Sequence, residues 1–262
     1  MSNIKKTAAV LLVLISVSLT FSASLSGLDI MKKSDAVPQG KTRKSIIKME
    51  LIDRNGHIRE RKVVSAFKES DEGEKTLMTF KSPADVEGTG FLNWTYNDPG
   101  KDDDQWLFLP ALGRIRRISS SSKGDYFMGT EFTYDDMGDR KPDEDTHKLL
   151  GEEKAGEKLC YKIESVPKEE DYMYSRKLVW IDKESYLPVK VKFFDEDGEF
   201  LKEMNTSGIK KIGGFWTVTG MVMENVQKDR KTKLTFNDIV YNSGVRDMFF
   251  TKRMLKKGLP DY

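Results

Sequence analysis

The sequence predicts a mainly β protein, in which a strongly curved antiparallel sheet forms an incomplete half barrel. A short N-terminal helix and a loop are expected to cover its concave face. Three observations lead to this fold. Apolar residues recur with a period of two in about a dozen runs between Arg43 and Tyr241. Short turns join the runs, which favours sequential antiparallel pairing. So many strands in one open sheet must curl or close.

The N-terminus has the pattern of a secretory signal. Lys5 and Lys6 precede an apolar segment from Thr7 to Ala23, and small residues follow it. We therefore expect residues 1–24 to be a signal peptide, with cleavage after Ser24, and residues 25–262 to be a single domain. No cysteine lies at the cleavage site to carry acyl chains, so the mature protein is expected to be soluble and periplasmic.

A short helix and a series of strands account for most of the mature chain. Residues 25–37 carry apolar side chains at helical spacing, and Pro38-Gln39-Gly40 ends the helix. The predicted strands cover residues 43–53, 58–68, 75–81, 89–96, 146–154, 158–165, 175–182, 187–195, 199–207, 215–226 and 231–241. In residues 189–193 valine and phenylalanine alternate with lysine, which predicts a sheet with one solvated face. The basic tail is expected to hold one helical turn near residues 247–251.

Composition excludes several classes of protein. The 262 residues have a net charge of +2, and loss of the signal peptide would remove two lysines, so nothing favours nucleic acid as a partner. Four Trp, nine Tyr and 14 Phe residues are enough to anchor a folded core. Cys160 is the single cysteine, and the expectation for it is a small buried side chain without a disulfide.

No motif in the sequence indicates catalysis, a metal ion or a cofactor. His57 and His147 do not have metal-ligand spacing, and there is no nucleophile elbow or phosphate-binding glycine loop. The acidic runs at 102–104 and 135–136 lack the spacing of a calcium loop, and solvated turn acids explain them. We therefore expect no enzyme activity, no metal and no cofactor.

The segment from Lys101 to Met137 combines apolar, basic and flexible stretches. Trp106-Leu107-Phe108-Leu109 is apolar on both faces of a strand. It is either a central strand buried on both sides or one wall of an apolar cavity. Aromatic side chains before and after it complete the proposed cavity lining, which consists of Trp94, Trp106, Phe108, Phe127, Phe132 and Tyr134.

Two further stretches of this segment suggest a rim and a lid. Arg114, Arg116 and Arg117 either form ion pairs with nearby aspartates or present a cationic rim to a head group or an acidic partner. Residues 119–124, four serines followed by Lys and Gly, are either a plain exposed loop or a mobile lid.

The stretch KSPADVEGTGFL, followed by DDQWLFLPALGRIRRISSSSKGDYFMGTEFTYDDM, resembles the LolA-like family of outer-membrane lipoprotein-sorting proteins, in its spirochaete-type subgroup. The resemblance runs over residues 28–250 and is most specific in residues 80–137. It implies a half barrel with helices over its open side, and an activity that shields acyl chains during transit across the periplasm. Better-known carriers of this superfamily have more helix over the mouth, so here the loop 119–146 is expected to help cover it.

The leading hypothesis is a periplasmic carrier that binds lipid or lipoprotein acyl chains for transfer towards the outer membrane. An inner-membrane exporter and an outer-membrane acceptor are further candidate partners. The main alternative is a non-catalytic envelope module that binds protein and is associated with an export system. A secreted hydrolase is the third hypothesis.

Overall fold

The computed structural model describes residues 25–98 and 100–261. The predicted signal peptide therefore lies outside the described residues. The chain forms α1 (Gly27–Asp35), α2 (Lys252–Lys257), and the strands β1 (Thr42–Ile52), β2 (Ile58–Ser70), β3 (Gly73–Ser82), β4 (Gly90–Trp94), β5 (Asp104–Leu109), β6 (Arg114–Arg117), β7 (Asp145–Ala155), β8 (Lys158–Pro167), β9 (Arg176–Asp182), β10 (Pro188–Phe194), β11 (Phe200–Ser207), β12 (Lys210–Ile212), β13 (Phe215–Thr217), β14 (Gly220–Asn225) and β15 (Arg230–Tyr241).

Thirteen strands form one antiparallel sheet in the order β6-β5-β4-β3-β2-β1-β15-β14-β11-β10-β9-β8-β7. Short turns connect most neighbours, as the sequence predicts. Strand β15 joins the two halves, because it pairs with β1 on one side and β14 on the other. Strands β6 and β7 are the two ends of the order, so the sheet is not closed into a barrel. The predicted half-barrel architecture is confirmed.

One apolar cluster on the inner face contains residues from both halves of the sheet. Val63, Phe80 and Phe91 come from the first half, and Ile163 and Val191 come from the second. Side chains so distant in the strand order meet in one cluster because the sheet curls. The inner face is therefore concave.

The outer face of the first half is covered by the C-terminal segment, residues 245–259. Phe250, Met254 and Leu255 of this segment pack on Leu77 and Leu92. A Cβ atom at Gly90 would lie 2.6 Å from the backbone oxygen of Leu255. Only glycine therefore lets α2 approach β4 so closely. Strands β4 and β5 are consequently buried on both faces, which is one of the two interpretations of the apolar run at 106–109.

The structure differs from the sequence prediction mainly in two segments. The single strand predicted for residues 215–226 is divided into β13 and β14, and β13 turns back to pair with β12. In the tail, the 3₁₀ turn Asp247–Phe250 matches the predicted helical turn, but the helix α2 that follows it was not predicted. Both segments are short, and sequence patterns are weakest for short elements.

Candidate functional site

The concave face contains a groove made of two adjoining cavities, of about 560 Å³ and about 290 Å³. We call these two cavities together the inner groove. They adjoin each other, because they share lining residues from α1, from the loop 138–142 and from the sheet, namely Met31, Ser34, Arg140, Pro142, Pro188 and Met221. The smaller cavity lies over the second half of the sheet, where Val179, Val191 and Phe193 form its floor.

Methionine is prominent in the lining of the inner groove, which contains Met31, Met78, Met137, Met204, Met221 and Met223. The unbranched thioether side chain has three rotatable bonds and adapts to irregular apolar shapes. Phe236, Tyr241 and Trp216 add rigid apolar surface to the larger cavity. The groove therefore presents an adaptable apolar surface of the kind that encloses a flexible chain.

Helix α1 forms one side of the inner groove. Ser26 begins the helix with a capping box, in which its Oγ accepts from the Asp29 amide at 3.1 Å and its own amide donates to the Asp29 carboxylate at 3.0 Å. Ile30 is fully buried, and Met31 faces the groove. A Cβ atom at Gly27 would lie 2.9 Å from the backbone of His147, so the helix rests directly on β7.

The loop between β6 and β7 provides the second cover. Phe127, Phe132 and Tyr134 belong to the apolar cluster of the inner face. The Phe127 ring lies 4.9 Å from that of Phe91 on β4 and 5.6 Å from that of Tyr134. Of the three predicted lining residues in this loop, Phe132 lines the smaller cavity. Phe127 and Tyr134 instead fix the loop to the sheet.

The other three predicted lining residues lie on the opposite face. Trp94, Trp106 and Phe108 belong to the cluster under the C-terminal segment, with the Trp94 and Trp106 rings 5.3 Å apart. Strand alternation explains the placement, because Leu107 points into the concave cluster and its neighbours must point away from it. This corrects the prediction that all six aromatic residues line one cavity.

The three arginines lie on β6, at the open edge of the sheet. All three side chains are exposed, and none lines the inner groove. Arg117 forms an ion pair with Asp104 at 2.6 Å, and Tyr96 donates to the same carboxylate at 2.9 Å. Arg116 lies 3.4 Å from the Ser122 hydroxyl. Arg117 therefore matches the ion-pair interpretation.

The serine run folds into a short 3₁₀ turn. This turn covers Ser120–Ser122, and the Ser120 hydroxyl donates to Asp102 at 3.1 Å. The run lies beside the start of β5 and not at the inner groove.

A buried polar cluster ties the covering loop to the sheet. Lys202 of β11 is fully buried and forms an ion pair with Asp136 at 2.5 Å. It also donates to the Glu131 carbonyl at 3.1 Å, and Tyr174 donates to Asp136 at 3.1 Å. Sequence reasoning missed this cluster. The sequence could have indicated it, because strand alternation places Lys202 on the same face as Met204. A lysine that faces the core requires a carboxylate partner.

Charged side chains line one end of the larger cavity. Asp35, Arg43 and Asp139 are among them, and Lys141 forms an ion pair with Asp139 at 2.5 Å. Burial raises the pKa of nearby Glu74 to about 7, and the charge of Asp139 acts in the same direction. Burial also raises the pKa of Asp35. This end of the groove is therefore polar, and the pKa of the Glu74 carboxyl beside it is close to neutral pH.

Both ring nitrogens of His147 have hydrogen-bond partners within the fold. The His147 ring lies 2.8 Å from the Ser165 hydroxyl and 2.8 Å from the Pro142 carbonyl, and burial lowers its pKa. Cys160 is buried and unpaired. Within residues 25–98 and 100–261, no group of three or more His, Cys, Asp or Glu side chains is placed to hold a metal ion. In the same ranges, no helix is long and apolar enough to cross a bilayer.

Comparison with known proteins shows extended similarity. A family described as uncharacterized proteins matches residues 72–257. A DUF1329 family protein from Desulfovibrio piger is 31% identical with a TM-score of 0.82, over 87% of this chain and 97% of that chain. A structure described as an outer membrane lipoprotein-sorting protein domain, from Vibrio parahaemolyticus, is 33% identical with a TM-score of 0.82, over 88% of this chain and 98% of that chain. A LolA superfamily protein from Nitrosomonas europaea shares the fold at 17% identity and a TM-score of 0.68, over 88% of this chain and 100% of that chain. A comparison with curated protein sequences finds no match.

Proposed function

Because the chain belongs to the LolA-like family of outer-membrane lipoprotein-sorting proteins, we propose that it carries a lipid, or the acyl chains of a lipoprotein, in the inner groove. The observation that carries this proposal is the methionine-rich lining of two adjoining cavities beside α1. Each buried methylene of an acyl chain contributes about 0.8 kcal/mol of binding free energy. A chain of ordinary length would therefore bind usefully without any charged contact.

The proposal places the protein in the periplasm, released from its signal peptide, as a carrier without catalytic activity. Delivery towards the outer membrane requires a donor and an acceptor, for which an inner-membrane exporter and an outer-membrane receptor are the candidates. The covers of the groove support reversible uptake. Helix α1 has nine residues and is held to β7 and the loop 142–144 mainly by packing and by the exposed Lys32–Asp143 ion pair. Such an element opens at low free energy.

The first experiment measures bound lipid. Full-length protein expressed with its signal sequence and purified from the periplasm is extracted with solvent, and the extract is analysed by mass spectrometry. We expect lipid in stoichiometric amounts. If the extract holds none and the protein does not bind a fluorescent fatty acid, the carrier function is excluded and the protein-binding module becomes the better interpretation.

The second experiment fills the groove. Met221 lines both cavities, so the larger side chain of Met221→Trp should fill the space where they adjoin. We expect the affinity for the fluorescent fatty acid to fall at least about tenfold, which is about 1.4 kcal/mol. Met248→Trp is the matched control, because Met248 is 51% exposed on the C-terminal segment. Equal affinity of the two variants would contradict binding in the inner groove.

A further inference from the structure

The larger cavity of the inner groove has one polar rim, at the place where β1 begins and its neighbours β2 and β15 end. Arg43 is the second residue of β1 and lines the cavity at this rim. Ser45 and Ile47 follow on the same face of β1 and also line it. The lining therefore changes from cationic to apolar over four residues of the strand, or about 13 Å.

The strand register places Arg43 between two aromatic rings. Arg43 is opposite Phe67 on β2 and opposite Tyr241 on β15. Its guanidinium carbon lies 4.8 Å from the centre of the Phe67 ring and 5.9 Å from that of Tyr241, and both distances are in the range of cation–π contacts. The Tyr241 ring in turn stacks on Phe215, with the ring centres 4.7 Å apart. These rings restrict where the guanidinium can lie.

Arg43 has few polar contacts in the fold. Its Nη1 donates to Gln39 Oε1 at 3.3 Å, although a guanidinium carries five N–H donors. Arg140, the other basic side chain in the described lining of this cavity, pairs with Asp145 at 2.7 Å, whereas Arg43 has no ion pair among the described residues. Arg43 is half-buried, so its charge is partly removed from water without a compensating anion.

The carboxyl groups near Arg43 do not replace that anion. Glu74 is connected to Arg43 through Gln39, whose Nε2 donates to Glu74 Oε1 at 3.4 Å. Burial raises the pKa of Glu74 to about 7, although the charge of Arg43 acts in the opposite direction. Burial also raises the pKa of Asp35, and Asp139 already has a lysine partner at 2.5 Å. Below pH 7 Glu74 is mostly protonated, so it does not balance the charge of Arg43.

We propose that Arg43 binds the anionic head group of the lipid whose chain occupies the inner groove. The planar guanidinium presents paired N–H donors that match two oxygens of a carboxylate or a phosphate. Ser45 and Thr76 line the same cavity, and their hydroxyl groups are further donors for such oxygens. The site rests on the proposed carrier function, since it binds the head of the molecule whose chain the groove encloses.

An anionic head group distinguishes two classes of cargo. The lipid part of a triacylated lipoprotein has ester, thioether and amide groups beside its chains, but no anion. Such a cargo would leave Arg43 unpaired, whereas a fatty acid or a phospholipid would pair it. The rim therefore favours a free anionic lipid over a lipoprotein. The carboxylate of a fatty acid and the phosphate of a phospholipid share this chemistry and are its two sources.

The test compares anionic and neutral ligands of one chain length. Decanoate, decyl phosphate and 1-decanol are titrated by calorimetry at pH 6.0, at micromolar concentrations, into delipidated protein purified from the periplasm. We expect both anions to bind at least about tenfold tighter than decanol, because hydrogen bonds to a charged group are strong. Arg43→Met keeps an unbranched side chain between Phe67 and Tyr241 and should abolish this preference.

Arg54→Met is the matched control. Arg54 is exposed in the turn between β1 and β2 and lines neither cavity, so this variant should keep the full preference for the anions. Equal preferences in Arg43→Met and Arg54→Met would overturn the site. Circular dichroism verifies that each variant folds. Should Arg43→Met fail to fold, Arg43→Lys decides the test, because it keeps the charge and loses the paired donors. Its preference should be intermediate, and an unchanged preference would overturn the site.

The wild-type titrations separate failure of the head-group site from failure of the carrier function. If decanoate, decyl phosphate and decanol bind with equal affinity, the groove binds chains and the head-group site is overturned. If none of the three ligands binds, the carrier function itself is contradicted.

The two anions separate the two sources. Tighter binding of decyl phosphate than of decanoate assigns the head group to a phospholipid, and the reverse order assigns it to a fatty acid. The lipid extracted from protein that has not been delipidated should belong to the same anionic class. An extract that holds only lipoprotein would overturn the assigned class of cargo.

Discussion

At the scale of single residues, the buried Lys202–Asp136 pair links the covering loop to the sheet. Lys202→Met should lower the free energy of unfolding by about 3–5 kcal/mol, because it leaves the Asp136 carboxylate buried without its cation. Urea denaturation measures the change. Lys192→Met is the matched control on the neighbouring strand, since Lys192 lies 3.6 Å from Glu203 with its side chain 32% exposed. A surface pair of this kind contributes at most about 1 kcal/mol. Similar losses in the two variants would refute the anchoring role.

Glu74 makes stability depend on pH in a defined direction. Burial raises its pKa from 4.5 in the unfolded chain to about 7 in the fold. Between pH 4.5 and pH 7 the folded state therefore binds more protons than the unfolded chain. The stabilisation from this proton binding is fully present below pH 4.5 and is lost as the pH rises through 7. At pH 8 the charged, buried carboxylate opposes folding by up to about 3 kcal/mol. Glu74→Gln should remove this dependence.

The measurement is the difference in unfolding free energy between variant and wild type, at pH 5 and at pH 8. We expect Glu74→Gln to gain stability relative to wild type at the higher pH. Glu157 is exposed and does not line the groove, so Glu157→Gln should have the same stability as wild type at both pH values. A difference that does not change with pH would show that Glu74 ionises normally in the fold.

At the scale of elements, α1 depends on one glycine to reach the sheet. A methyl group at Gly27 would meet the backbone of His147 and Leu149 at 2.9 Å, so Gly27→Ala must move the helix away from β7. Such overpacking costs about 1–3 kcal/mol, and here it weakens the packing of the short helix α1 on β7. We expect faster amide exchange in residues 27–35, unchanged protection of the central strands, and fatty-acid affinity reduced roughly tenfold, or about 1.4 kcal/mol.

Gly124→Ala is the matched substitution for this test. Its Cβ would meet nothing nearer than the Met173 side chain at 3.6 Å, which is an ordinary contact. It should change neither the exchange of α1 nor fatty-acid binding. Unchanged affinity in Gly27→Ala, despite faster exchange in α1, would show that the helix does not shape the groove.

At the scale of the whole molecule, the sequence specified the sheet better than the site. Apolar residues at every second position, with short turns between the runs, predicted ten of the strands with ends within a few residues of the observed ones. They succeeded because burial of one face imposes the alternation directly. The same alternation was ambiguous in β4 and β5, where both faces are apolar. Nothing local indicates that residues 245–259 return to cover Trp106, so the side of the sheet that holds the groove could not be assigned from residues 106–109.

The lining of the groove was missed for a related reason. Met31, Met78 and the pair Met204 and Met221 come from α1, from β3 and from the neighbouring strands β11 and β14, and each looks like an ordinary core residue in its own strand or helix. The curl of the sheet brings β3 and α1 to the paired strands β11 and β14. The covering loop was predicted more successfully, because Phe132 and its aromatic neighbours stand in a polar, irregular segment where apolar residues are conspicuous.

The two faces of the sheet should behave independently. Phe250 is 1% exposed in the outer cluster, so Phe250→Ala should lower the free energy of unfolding by about 3–5 kcal/mol. A fatty acid bound in the inner groove contacts none of that cluster. At a concentration of 100 times Kd, the fatty acid should therefore raise the free energy of unfolding of wild type and of Phe250→Ala equally, by about 2.7 kcal/mol. Thermal unfolding with and without ligand measures both the loss of stability caused by the substitution and the gain caused by the ligand. A smaller increment in Phe250→Ala than in wild type would mean that the C-terminal cover and the groove are coupled through the sheet, whereas equal increments would assign cargo binding to the concave face alone.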